Sequence, residues 1–258
     1  MRDCVGSSRF AGALAFMERT GVFIFAFVVL ASSAHAQTAD SVIALNMVAR
    51  GGLQRLRAIR SERLVGHFVM ETGESAVDTV EIARPGRIRT TIHFPHDLLV
   101  QASSGRTAWM VSTLAWRGDS SAHELPPEQA KNIQAAADLD GPLVDYAAKG
   151  HQVAFAGVDT ADGRPAYVLR VVTADGLHDT YFIDSVTHLQ TKWIGERTIG
   201  GTTVTLETFF RDYRAMGGTM VPFRIDSDNG REATGNHFTV EAVELNVAID
   251  SERFEVPG

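Results

Sequence analysis

The sequence predicts a mainly β protein: one highly curved antiparallel sheet or incomplete barrel, with a helix at its start and a helical segment in mid-chain. Three observations support this fold class. Apolar and polar residues alternate along most of the chain, which is the pattern of a half-buried strand. Short glycine-rich turns separate these runs, and short connections make neighbouring strands antiparallel. The runs number about a dozen, near the size at which an open twisted sheet curls or closes.

The first 36 residues have the order of a secretory signal peptide. Basic residues come first, an uncharged apolar run follows at 21–31, and Ala-His-Ala at 34–36 supplies the small residues of a cleavage site. The apolar run is shorter than the about 20 residues of a membrane span. We therefore expect export, cleavage before Gln37 and no transmembrane segment in the mature chain. An uncleaved anchor is the alternative, and Met17 is an alternative start.

Composition argues against several classes of function. The single cysteine, Cys4, lies in the leader, so the mature chain is expected to have no disulfide, no cysteine-ligated metal and no cysteine nucleophile. The 258 residues carry a net charge of −7, and the leader contains more basic than acidic residues, so its loss leaves the remainder more acidic. Net acidity argues against a nucleic-acid partner, because phosphate binding needs clustered Lys and Arg.

Two helical pieces precede the first strand. Asp40 and Ser41 can cap a helix with an apolar stripe that Gly51-Gly52 ends, and residues 53–59 continue with apolar residues at three-residue spacing. From residue 62 the period changes to two. Leu64, Gly66 and Phe68 lie on one face of the first strand. The first group of predicted strands comprises 62–70, 76–83, 87–94, 98–103 and 107–113.

Residues 114–150 interrupt the alternation. Proline at 126 and 127 starts a helix rich in helix formers, Gly141-Pro142 breaks the chain, and a second, short amphipathic helix is predicted after the break. In the last strand the apolar phase slips by one residue between Val240 and Val243, which predicts a bulge. The second group of predicted strands comprises 151–158, 166–172, 178–184, 189–197, 202–214, 219–226 and 237–249.

Three segments carry a family resemblance. They are Asp-Gly-Pro-Leu-Val-Asp-Tyr-Ala-Ala-Lys-Gly at 140–150, Gly-Arg-Pro-Ala-Tyr-Val-Leu-Arg-Val at 163–171 with Tyr-Phe-Ile-Asp at 181–184, and Asp-Tyr-Arg at 212–214 with Val-Pro-Phe at 221–223. In this order they resemble bacterial outer-membrane lipoprotein-sorting proteins, the LolA/LolB-like lipoprotein-carrier superfamily. The resemblance implies one domain over 37–258, a half-open barrel of about 11 to 12 strands with a helical lid over an apolar cavity for acyl chains.

The resemblance implies a periplasmic carrier that binds lipid or lipoprotein acyl chains non-covalently, as a monomer without cofactor or metal. Cys4 precedes the apolar run and so cannot bear a lipid, which makes the chain more similar to the soluble carriers than to the anchored acceptors. Envelope donor and acceptor proteins are the expected partners. The predicted cavity residues are Leu64, Phe68, Met70, Ile88, Ile92, Trp109, Val111, Trp193, Leu206 and Phe210, with Leu143 and Tyr146 from the lid. For any one of them an ordinary core position is the alternative.

Two other classes of function stay open. The same fold can serve as an envelope sensing or interaction module that moves no cargo. A hydrolase would use His93, His96 and Asp97, which stand around a strand end, but a zinc site needs three or four convergent ligands. The sequence has no G-x-S-x-G, H-E-x-x-H or phosphate-binding glycine loop. We therefore predict a binding protein and not an enzyme.

Overall fold

The computed structural model describes residues 38–69, 73–114, 120–199, 202–228 and 236–257. These ranges contain the helices α1 (Ala39–Ala49), α2 (Leu53–Ala58) and α3 (Pro127–Ala136), and a short C-terminal 3-10 turn, Ser251–Phe254. The strands are β1 (Ser61–Val69), β2 (Ser75–Ala83), β3 (Arg87–His93), β4 (Leu98–Ser103), β5 (Ala108–Ser112), β6 (His123–Glu124), β7 (Gln152–Ala161), β8 (Arg164–Val172), β9 (His178–Asp184), β10 (Gln190–Ile199), β11 (Thr202–Met216), β12 (Thr219–Asp228) and β13 (Asn236–Leu245).

The strands form one open antiparallel sheet in the order β6-β5-β4-β3-β2-β1-β13-β12-β11-β10-β9-β8-β7. The first and last strands pair in the middle, and two meanders run outward from them because short turns can only join antiparallel neighbours. The predicted fold class is confirmed: the protein is mainly β, and its sheet is not closed into a barrel. None of the described helices has both the length and the apolar character that a membrane crossing needs.

The bulge predicted in the last strand lies opposite β1. Val65 pairs with Ala242, but the next residue, Gly66, pairs with Val240, so β13 has one extra residue at this point. The ring of Phe238 packs over Gly66, and a Cβ there would lie 2.8 Å from that ring. Only glycine allows this close packing between the two central strands.

One face of the sheet can be followed through its register, because directly paired residues lie on the same side. Phe68 pairs with Phe238, Phe238 with Ile225, and Ile225 with Phe210. This face is concave. The contacts of α3 indicate the curvature: this one helix contacts β3, β4 and β5 on one side and β10 on the other, although five strands separate β3 from β10 in the sheet.

Helix α1 covers the part of the concave face formed by β8 and β9. Its N-cap is Thr38 and not Asp40 or Ser41: the Thr38 hydroxyl accepts from the Ser41 amide at 3.2 Å, and the Ser41 hydroxyl accepts from the Thr38 amide at 2.9 Å. Val42 and Ile43 of the helix are buried in one cluster with strand residues. This part of the face is filled by ordinary core packing.

Residues 142–150 form consecutive turns instead of the predicted short helix. Asp145 has a φ of 52°, which is left-handed and interrupts a right-handed helix. Its carboxylate holds the guanidinium of Arg57 at 2.6 Å. Leu143 and Val144 are nevertheless buried against α1, as an amphipathic segment requires.

The C-terminal turn packs on the opposite, convex face, against β2, β3 and β5. Phe254 is fully buried there, and the indole Nε1 of Trp109 donates to its carbonyl oxygen at 2.8 Å. Arg253 reaches the carboxylate of Glu81 on β2, which is also buried. The C-terminal turn therefore covers the convex face at these strands.

Candidate functional site

The concave face has a filled part and a partly open part. Beneath α1, Leu169 and Ile183 have no exposed surface. Apolar side chains on the strands between α1 and α3 are only half-buried, and those that were predicted as cavity residues are Leu64, Phe68, Ile92, Leu206 and Phe210. Exposed apolar area of this kind on a curved sheet is typical of a ligand site. The candidate site is this half-buried apolar face, which we call the trough.

Helix α3 lies over the trough as a lid. At one end Ala130 and Ile133 pack against the buried Met110 and Leu125. On the other side the Asn132 amide donates to the Thr198 carbonyl of β10 at 3.0 Å. No residue of α3 is completely buried, whereas α1 buries four, so α3 packs less deeply on the sheet than α1 does. Weakly packed elements open at low cost in free energy, which suits a gate for a ligand.

Two cavities lie beside the helices that cover the concave face. One of about 200 Å³ lies between α1 and the central strands, and both Leu143 and Phe210 line it. The other, of about 360 Å³, lies between β5 and the start of α3, with Ala108 and Leu125 in its lining. Ligand pockets usually have about 300–1,000 Å³, so the first cavity takes only part of an acyl chain while α1 and α3 stay in place.

An acidic side chain, Asp78, interrupts the apolar surface of the trough. Asp78 on β2 pairs with Gly66 of β1 and Ile92 of β3, and it is 7% exposed. Its Oδ1 has no hydrogen-bond partner among the described residues. Burial raises the pKa of Asp78 to about 7, and the opposing effect is a hydrogen bond from the Thr79 backbone. The position was not predicted, although Ala76-x-Asp78-x-Val80 in an alternating strand places the aspartate in the apolar phase.

A second polar group on the concave face is fully paired. The guanidinium of Arg197 donates to both oxygens of Asp179 at 2.9 and 3.2 Å, and it stacks over the ring of Trp193 at 4.7 Å. Gly195 lies between these groups, and any Cβ there would collide with Trp193 and Asp179. Burial raises the pKa of the neighbouring Tyr181. This cluster is a satisfied structural ion pair, so it leaves no free polar group to a ligand.

The register places seven of the predicted cavity residues on the concave face. They are Leu64, Phe68, Ile88, Ile92, Trp193, Leu206 and Phe210. Ile88 is 4% exposed and therefore belongs to the packed core. Leu143 and Tyr146 lie beside α1 instead of beneath α3, and the Tyr146 hydroxyl donates to Asp40 at 2.8 Å. Met70 lies outside the described residues.

Trp109 and Val111 are not part of the trough. Trp109 pairs with Ala102, and Val111 pairs with Val100, on the convex face. Both pack in the cluster beneath the C-terminal turn. They cannot line a concave cavity, since alternate residues of a strand point to opposite faces.

The candidate hydrolase residues do not converge. His93 is exposed on the convex face, His96 is exposed in the following turn, and Asp97 accepts a hydrogen bond from the Thr113 hydroxyl at 3.1 Å. Within the described part of the chain, no group of three or more His, Cys, Asp or Glu residues is placed to hold a metal ion.

The sequence matches no protein-family model and no curated protein. The fold is similar to that of a DUF1329 family protein from Desulfovibrio piger, with a TM-score of 0.58 and 12% identity over 84% of this chain and 97% of that one. A domain of the outer membrane lipoprotein-sorting type from Vibrio parahaemolyticus gives a TM-score of 0.56 and 10% identity over 84% and 97%. A LolA superfamily protein from Nitrosomonas europaea gives 0.55 and 14% over 85% and 98%.

These likenesses define the class of protein: an antiparallel sheet curved around helices on its concave side. Within that class, the chain has a LolA-like fold, as its sequence segments predict.

Proposed function

We propose that the mature chain is an exported periplasmic carrier that binds the acyl chains of lipids or lipoproteins non-covalently in the trough. The observation that carries the proposal is the position of α3, which lies over half-buried apolar side chains and has no completely buried residue of its own. The protein acts as a monomer, without cofactor or metal, and exchanges its ligand with envelope donor and acceptor proteins. A leader with signal-peptide order supports export.

The free energy for this function comes from apolar burial. Each buried CH₂ contributes about 0.8 kcal/mol, so a chain of roughly sixteen carbons offers on the order of 12 kcal/mol before costs. The free-energy costs of opening α3 and of immobilising the ligand offset part of this burial free energy. No network of polar groups is needed, and the trough accordingly presents mainly aliphatic and aromatic side chains, among them Leu206 and Phe210. The fold of a lipoprotein-sorting domain and of a LolA superfamily protein also supports the proposal.

A pair of neighbouring residues on β11 gives a matched test. Leu206 is on the concave face, and Thr205 is exposed on the convex face of the same strand. A fluorescent acyl probe is titrated into the wild type, Leu206→Glu and Thr205→Glu. We expect Leu206→Glu to weaken binding at least about tenfold, because a carboxylate in the trough must be desolvated, and Thr205→Glu to bind as the wild type does. Equal binding by both variants, or none by the wild type, would contradict the proposal.

The native ligand and the location are tested together. The protein is expressed with its leader, isolated from the periplasmic fraction and extracted for mass spectrometry. We expect an N-terminus at Gln37 and a co-purified acyl lipid or acylated peptide. Retention in the cytoplasm would refute export. A protein that contains no lipid and does not bind the acyl probe would refute the proposed carrier function.

A further inference from the structure

Asp78 is the one side chain of the described trough that combines deep burial with an unused hydrogen-bonding oxygen. A buried polar atom without a partner loses its hydrogen bonds to water and destabilises the fold, more so when the atom is charged. Among the described residues the Asp78 carboxyl caps no helix and pairs with no cation, and the hydrogen bond that it receives from the Thr79 backbone leaves Oδ1 unpaired. An apolar residue at this position would pack with Ala76 and Val80 on the same strand face. The unused oxygen therefore points to a partner other than the residues that the structure describes.

In the described part of the chain, no group on the elements packed against Asp78 hydrogen-bonds its Oδ1. Its concave-face neighbours on β1 and β3 are Gly66 and Ile92, and the ring of Phe238 from β13 packs over Gly66. The charged residue of this face on β1 is Glu62, near the other end of the strand, where burial raises its pKa and the charge of Arg50 opposes the shift. On the lid, Glu128 and Lys131 pair with each other at 3.4 Å.

We propose that Asp78 is the polar recognition point of the trough and that it accepts a hydrogen bond from a neutral donor, a hydroxyl or an amide N–H, next to the acyl chain of the ligand. The inference rests on the proposed function and adds the ligand class to it. A neutral donor fits better than an ammonium group, because the rest of this surface offers no solvation to a second charge. A plain hydrocarbon or an ester leaves Oδ1 unpaired.

The pH dependence of selectivity distinguishes this role from simple packing. Asp78 loses its proton near pH 7, and hydrogen bonds to charged groups are stronger than those between neutral groups. A ligand with a hydrogen-bond donor therefore binds more tightly as the carboxyl ionises. A ligand without a donor loses affinity, because it covers a bare charge with hydrocarbon. The ratio of the two affinities should rise as pH increases through 7.

The experiment uses three ligands with the same acyl chain: a fatty amide, a monoacylglycerol and a methyl ester. Each competes with a fluorescent acyl probe on the mature protein at about pH 5 and about pH 9, on either side of the Asp78 pKa. We expect the amide, the monoacylglycerol or both to bind more tightly than the ester, with the ratio rising about tenfold between the two pH values. Whichever donor shows the preference identifies the amide or the hydroxyl as the group recognised.

Two variants complete the test. Asp78→Leu should bind the ester at least as well as the wild type and lose all preference for the donors. Asp78→Asn keeps a neutral acceptor, so it should keep a small preference that no longer changes with pH. A donor preference that survives in Asp78→Leu, or one that is independent of pH in the wild type, overturns the role of Asp78. If the ester binds as tightly as the amide and the monoacylglycerol, only the role of Asp78 is contradicted. If no ligand displaces the probe, the proposed carrier function is contradicted as well.

Discussion

The carboxylate of Glu81 accepts two hydrogen bonds from the guanidinium of Arg253, at 2.9 and 2.7 Å, across 172 residues of sequence. Glu81 has 1% of its surface exposed, and Arg63 holds its other oxygen at 3.0 Å. This clasp fixes the C-terminal turn to the convex face of β2. The end of the chain is thus part of the core, on the side of the sheet away from the trough.

Phe254, the residue after Arg253, should be essential for stability and irrelevant to ligand binding. The side chain is fully buried, so Phe254→Ala should lower the free energy of unfolding by about 3–5 kcal/mol. Urea denaturation measures the loss, with the more exposed Val256→Ala as the control. The folded variant should bind the acyl probe with wild-type affinity. Impaired binding at full folding would contradict the assignment of this residue to the far side of the sheet.

Trp109 gives a related prediction on the same face. Trp109→Phe keeps an aromatic ring but removes the Nε1 donor, which leaves the buried carbonyl of Phe254 unpaired. We expect a loss of about 1–3 kcal/mol in the free energy of unfolding. Probe affinity should not change. A loss of probe binding without a loss of stability would indicate that Trp109 belongs to the ligand site.

The misplacement of Trp109 has a physical cause. Ala108, Trp109 and Met110 are consecutive on β5 and all buried, because α3 covers one face of the strand and the C-terminal turn covers the other. A strand buried on both faces is apolar throughout, so alternation does not indicate which residues point inward. The coverage by Phe254 depends on a contact about 145 residues away, which no local pattern records.

Where one face of a strand is exposed to solvent, the sequence pattern predicts which residues point inward. The phase slip between Val240 and Val243 predicted the bulge because a one-residue shift moves every later side chain to the other face. The turn at Asp184 also follows from local chemistry: its Oδ1 accepts from the amides of Val186 and Thr187 at 2.9 and 2.7 Å. The special role of Asp78 needed the register, because only pairing shows that nothing polar faces it.

The lid can be tested with introduced thiols. The only cysteine of the chain is Cys4, so a protein produced from Gln37 onward contains no thiol. Ile133→Cys with Leu99→Cys places one thiol on α3 and one on β4, where both native side chains pack against the cluster of Ala108, Met110 and Leu125. A short reducible cross-linker between them should hold α3 closed and slow uptake of the acyl probe at least about tenfold, with recovery after reduction.

Each single-cysteine variant, treated in the same way, is the control for chemical modification. Unchanged uptake in the cross-linked protein would show that ligand does not enter beneath α3, and the cavity beside α1 would then be the entry to examine.

The protonation of Asp78 should also appear in the stability of the empty protein. Burial raises its pKa from 3.8 to about 7 in the folded state, so between these values the native protein holds a proton that the unfolded chain has released. The resulting stabilisation is complete below the unfolded pKa and is lost as pH rises through the folded one. Relative to Asp78→Asn, which does not titrate, the wild type should therefore lose about 2–3 kcal/mol between about pH 5 and about pH 8. Urea denaturation of both proteins across this range measures the difference, and a difference that stays constant or grows in favour of the wild type would mean that the carboxyl is solvated or paired after all.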